Sequence, residues 1–147
     1  MNTQLLIMDN VTELLVKIIS FTKALQKILT DNINNMHNAD FVPRDLPVNE
    51  FSQLLDYAID EHTQNHRLAL YDTENIKFGK GGNFEVRPMI DKYAKDLLDN
   101  YPDEYLALQV DKLLENALNQ KAAEKLIEKI NETNLATAEC KRSLQVT

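Results

Sequence analysis

Tryptophan is missing from this chain, and turn-forming residues are nearly so: three Gly and four Pro stand among 147 residues. That scarcity argues for long helices and against a protein built on many tight turns. The one cysteine, Cys140, cannot close an internal disulfide or build a cysteine metal cage, so nothing demands an oxidising compartment. No uninterrupted apolar run reaches the about 18 residues that a membrane span needs, so no stable membrane insertion is expected. The opening stretch, MNTQLLIMDNVTELLVKIISF, carries no basic leader, and Asp9, Asn10 and Glu13 break its apolar run. A cleaved secretory signal is therefore not expected, and the chain reads as one made in soluble form. Positive charge is also short. With 16 Lys and Arg against 23 Asp and Glu the net charge is -7, a field that repels nucleic acid and anionic lipid.

What the chain does contain is helical periodicity at both ends. From Leu5 to about Asn34, the residues Val11, Leu14, Ile18, Phe21, Leu25 and Ile28 step by 3, 4, 3, 4, 3, a heptad seam that continues into Asn32 and Asn35. The seam turns polar where the helix is expected to end, with Asn as a left-handed cap. Leu15, Ile19, Leu29 and Ile33 widen the apolar face beyond one stripe, more than a lone helix can bury.

The order of segments predicts a mostly α fold with an irregular middle. Residues 1–35 form the N-terminal heptad helix, and residues 36–88 hold a loop, a short helix and an irregular region with a short hairpin. Residues 89–132 make a C-terminal helical region, and residues 133–147 a polar, frayed tail. In the middle, MHNADFVPRDLP reads as a loop with an extended stretch before Pro43. A helix follows at about Val48 to Glu61, with Asn49 as its cap and Phe51, Leu54, Leu55, Ala58 and Ile59 as its apolar face. Leu68 to Tyr71 and Asn75 to Phe78 are candidate strands beside the glycines 79, 81 and 82. A helix is expected to begin after Pro88 and run to about Asn100, and Pro102 either breaks it or starts a new one. The last helix, about Asp103 to Glu132, places Leu106, Val110, Leu114, Leu118, Ala122, Leu126 and Ile130 at i+4 steps. Such a ridge drifts slowly round the helix, as a long partner-seeking helix would show.

Two stretches resemble a known family. Ala24 to Asp45 reads ALQKILTDNINNMHNADFVPRD, and it is similar to the N-terminal signature of flagellar basal-body rod proteins. There a helix ends in an Asn-Ile-Ala-Asn box, followed by Thr-Pro-Gly-Tyr, a basic residue and an acid. Asn32, Ile33 and Asn35 match the box, Phe41 stands at the aromatic position, and Arg44 and Asp45 close the motif. Asn38, Ala39 and Asp40 replace Thr-Pro-Gly, so the tight turn is built differently. Downstream, GGNFEVRPMIDKYAKDLL resembles the FlgB-type segment through Gly81, Asn83, Phe84, Val86 and Ala94. Arg87 and Asp96 depart from that pattern, and Pro102 interrupts a helix that the family usually keeps continuous.

The resemblance implies a structural subunit of the proximal rod, without catalytic residues and without a cofactor. It implies export through the flagellar type III apparatus without a cleaved leader, and a final place in the periplasmic rod. The implied partners are other rod or basal-body subunits and further copies of the chain itself, joined by helix packing. On that reading the interaction residues are Val11, Leu14, Ile18, Phe21, Leu25, Ile28, Asn32, Asn35, Val110, Leu114 and Leu118. The competing reading is a non-flagellar helical protein-binding module.

Sharper chemistry finds little in the residues. His62 and His66 lie one helical turn apart beside Glu61, but His37 is the one other histidine and no HExxH pattern is present. FGKGGN lacks the Lys-Ser/Thr ending of a phosphate loop and reads as a turn. The pairs Asp60-Glu61 and Asp103-Glu104 suit helix ends, the second a first helical turn.

Overall fold

A computed structural model describes residues 3–79 and 84–145. Four helices and four short strands follow in the order α1 (Thr3–Asn34), β1 (Arg44–Asp45), α2 (Val48–Asn65), β2 (Ile76–Phe78), β3 (Phe84–Val86), β4 (Met89–Ile90), α3 (Lys92–Asn100) and α4 (Pro102–Gln145). The fold is mostly α, with a long helix at each end and a small irregular middle. α1 and α4 run antiparallel against each other: Asn32 meets Gln109 while Thr22 meets Asn116, so positions advance in opposite senses.

The middle region packs on α1. Leu14, Leu15, Phe21, Leu25 and Leu29 are buried, spaced as the heptad seam and its neighbours require. Phe21, Leu25 and Leu29 share a core with Leu46, Phe51 and Leu54 of the β1–α2 segment and with Ile76 of β2. α2 offers Phe51, Leu54 and Ala58 as its buried stripe, at i, i+3 and i+7. Four of the chain's five phenylalanines form one ladder through this core. Phe21 stacks on Phe51 with centroids 4.2 Å apart, Phe51 meets Phe84 at 6.0 Å, and Phe84 meets Phe78 at 5.4 Å. The β2–β3 register, Ile76 with Val86 and Phe78 with Phe84, puts the last pair directly opposite each other.

Several sequence expectations change at element ends. α2 starts after Pro47, which makes no side-chain cap bond, so Asn49 lies inside the helix and caps nothing. It runs on to Asn65 because His66 adopts φ 53 and donates its backbone N–H to His62 O at 2.9 Å, a left-handed cap. His66 is the one non-glycine residue with positive φ among those described, so α1 does not end on a left-handed Asn. Instead Asn35 donates both its backbone N–H and its side-chain amide to Asp31 O. Leu68 to Tyr71 is not a strand, whereas Ile76 to Phe78 is.

Met89 and Ile90 are not helical. They pair with Asp45 and Arg44 in a two-residue ladder, and α3 begins only at Lys92, where Asp91 caps it by accepting the N–H of Ala94 at 3.0 Å. Pro102 opens α4 as its first residue, where its missing N–H costs nothing. The expected frayed tail from Thr133 is helix as far as Gln145. Thr133 and Thr137 bond back to the carbonyls of Lys129 and Thr133, and Ala136, Ala138, Glu139, Lys141 and Arg142 around them are good helix formers.

Candidate functional site

The terminal helices meet through polar side chains. Tyr105, Gln109, Lys112 and Asn116 step by 4, 3 and 4, so one stripe of α4 faces α1. Asn32 lies at the centre of the joint and is 2% exposed. Its amide nitrogen donates to Arg44 O at 2.7 Å and to Gln109 Oε1 at 2.9 Å, while its amide oxygen accepts the Arg44 N–H at 3.0 Å. The Tyr105 hydroxyl donates to the backbone carbonyl of the same Asn32 at 2.7 Å. One residue therefore ties the end of α1 to β1 and to two turns of α4. Gln109 Nε2 is buried there without a hydrogen-bond partner, which leaves the joint one donor in excess. Farther along, Asn116 donates to Thr22 O at 2.7 Å, a carbonyl inside α1.

Burial raises the Tyr105 phenol pKa from 10.0 to about 12, with the negative charge of Asp91 adding to the effect. Lys112 reaches two carboxylates brought together by the β1–β4 pairing, Asp45 at 2.9 Å and Asp91 at 3.1 Å. Burial disfavours its charge, but hydrogen bonds and Coulombic attraction from the two aspartates outweigh that, and its pKa is raised.

The opposite face of α4 is apolar and open. Leu106, Val110, Leu114 and Leu118 are exposed, Leu114 by 62% and Leu118 by 61%. The C-terminal interaction residues expected from the sequence, Val110, Leu114 and Leu118, thus lie on the face turned away from α1. Those of α1 divide differently. Leu14, Phe21, Leu25 and Asn32 are buried, and Val11, Ile18, Ile28 and Asn35 are partly so. The seam expected to receive another helix is occupied over Phe21 and Leu25 by this chain's own α2 and hairpin.

Between α1, the start of α2 and α4 lies an open groove of about 790 Å³ with Leu15, Ile18, Leu55 and Leu126 among its apolar walls. Among the described residues no three His, Cys, Asp or Glu side chains gather as a metal site. His62 instead faces Asn10, whose amide nitrogen lies 3.4 Å from both His62 Nδ1 and His66 O. The FGKGGN turn falls largely on residues 80–83, outside those described, as do Gly81 and Asn83 of the second resembling stretch. No helix among the described residues is long and apolar enough to cross a membrane.

Sequence pattern pointed to Asn32 and, through the resembling motif, to Arg44, but not to the polar stripe of α4. Tyr105, Gln109, Lys112 and Asn116 went unnoticed because a search for apolar periodicity passes over a polar interface. Their own 4, 3, 4 spacing is the signal that could have found them. Compared with protein-family models, curated proteins and solved structures, the chain matches none.

Proposed function

We propose that this chain is a structural subunit of the bacterial flagellar basal-body rod, an export substrate and not an enzyme, which assembles through its terminal helices. One observation carries the reading: α1 and α4 pair antiparallel between the Asn32–Gln109 and Thr22–Asn116 bonds while α4 keeps Leu106, Val110, Leu114 and Leu118 open on its far side. A subunit of a helical polymer needs both features, an internal pair that fixes its shape and an apolar face left for neighbours. The resembling motif lends further support, since Asn32 and Arg44 are residues that join the terminal helices to the turn after α1. Its partners on this reading are other rod subunits and further copies of itself, and its place is the periplasmic rod.

The test is genetic and biochemical. In the organism that encodes the chain, deletion should abolish flagellar filaments and swimming, and a tagged copy should restore both and co-purify with isolated basal bodies. Normal filaments in the deletion strain would overturn the proposal and favour a helical binding module outside the flagellum.

A further inference from the structure

The open face of α4 has an unusual internal order. Read outward from position 112, its apolar residues are mirrored: Val110 with Leu114, Ala107 with Ala117, and Leu106 with Leu118. All six are exposed. The mirror continues into charge, since Asp103 closes the stripe at one end and Lys121 at the other, each nine positions from 112. Asp103 and Lys121 are 18 residues apart (121 minus 103), which is about five helical turns, so they share one face with the apolar stripe. Lys112 itself points the other way, into the pair of aspartates beneath. Beyond Lys121 the outward face changes character and carries Glu124, Lys125, Glu128 and Glu132.

We propose that this stripe is a self-association surface, on which the α4 helices of two copies pack antiparallel about a two-fold axis level with position 112. In that register each Leu106 faces the other copy's Leu118, each Val110 faces Leu114, and both ends of the stripe place Asp103 against Lys121. The alanines at 107 and 117 let the two helices approach closely. A parallel pairing would instead set Asp103 on Asp103 and Lys121 on Lys121. Charge thus selects the antiparallel arrangement, and the mirrored spacing selects the second copy over an unrelated helix. The contact is small beside the roughly 800 Å² per partner of a standard stable interface, so the pair forms weakly and with concentration. It goes beyond the rod reading, because a two-fold pair closes on itself where a rod contact must propagate; pair and polymer then compete for the stripe.

Disulfide trapping tests the register in the full chain with Cys140→Ser. Asp103→Cys and Lys121→Cys proteins, mixed under mild oxidation, should link mainly to each other. In the proposed pair two copies of residue 103 lie about 27 Å apart along the axis, far outside disulfide reach. Predominant same-site linkage would overturn the antiparallel register.

Sedimentation from about 10 μM to about 1 mM should show a monomer–dimer equilibrium. Leu114→Lys should weaken it by roughly tenfold or more, with an unchanged helical spectrum because the side chain is exposed. Asp103→Lys should weaken it about three- to tenfold, and Asp103→Lys with Lys121→Asp should restore it. A monomer throughout the range, or a dimer indifferent to Leu114→Lys, would overturn the proposal. If the unaltered chain is monomeric throughout that range and its tagged copy still restores swimming, the pair is overturned and the rod reading stands.

Discussion

Tyr105 donates its hydroxyl proton to the backbone carbonyl of Asn32, 73 residues earlier in the chain, across 2.7 Å. The tyrosine ring is buried with Ala94 and Leu97 of α3, so one side chain joins the last turn of α1 to both C-terminal helices. Replacing Tyr105 with Phe keeps the ring and removes the donor. Denaturant unfolding should register a loss of about 1–2 kcal/mol, the range for a buried hydrogen bond broken on one side.

The same phenol has a pH signature. Its pKa is raised in the folded protein, from 10.0 to about 12. A raised pKa means that folding favours the protonated form. The stability it contributes is complete below pH 10 and is lost as pH climbs from 10 through about 12. Unfolding midpoints measured from neutral to strongly alkaline pH should fall above pH 10, and the fall should be shallower in Tyr105→Phe. Identical alkaline profiles for the two proteins would remove Tyr105 as its source.

Asn32 should be the least replaceable polar residue. Asn32→Asp keeps the shape but loses the two amide donations, to Arg44 O and Gln109 Oε1, and sets a carboxylate against those oxygens. A loss of about 2–4 kcal/mol follows, and Asn32→Ala should cost a similar amount by leaving the Arg44 N–H and Gln109 unpaired. A thermal midpoint within a degree or two of the parent would contradict this.

Lys112→Met should destabilise by about 1 kcal/mol, a modest figure because the ion pair is partly solvated. What it removes is the cation between Asp45 and Asp91, and with it the clamp that holds β1, β4 and the α3 cap to α4. The loss should shrink when Asp91→Asn is added, since the second change relieves the like-charge contact that the first exposes.

The two faces of apolar periodicity should respond in opposite ways. Phe21→Asp with Leu25→Asp puts two charges into a closed core, at a cost of several kcal/mol, and should abolish the cooperative helical signal. Leu114→Asp and Leu118→Asp on the open face should leave it intact. Circular dichroism of the two double variants decides the matter.

That contrast also shows what was legible beforehand. The 3, 4, 3, 4, 3 steps from Val11 to Ile28 trace a face of α1 that is buried at Leu14, Phe21 and Leu25 and partly buried at Val11, Ile18 and Ile28, because burial of large side chains is what hydrophobic spacing encodes. The i+4 ridge of α4 was equally visible, yet spacing does not say whether a face meets its own chain or the outside. From Leu106 to Leu118 it is turned outward, since the inward stripe there is held by Asn32, Tyr105 and Asn116 through directional bonds, and by Leu126 it has drifted round to the groove beside α1. The β1–β4 ladder, two residues on each side, is too short for alternation to register at all. The helical end past Thr133 was hidden by threonine's low intrinsic propensity, which the helix formers Ala136, Ala138, Glu139, Lys141 and Arg142 outweigh.

Because α1 and α4 are antiparallel, the first turn of α1 and the last turn of α4 lie toward the same end of the molecule, and the Asn32 joint lies toward the other. A load that pulls the first turn of α1 away from the last turn of α4 would therefore open the helix pair like a zip, one turn at a time, and reach the Asn116–Thr22 bond before the Asn32 cluster. Tension that instead entered through the ridge of α4 and left through α2 would pull across the aromatic ladder, engaging Phe21, Phe51 and Phe84 together. On this geometry the terminal helices should part at a lower force than the waist.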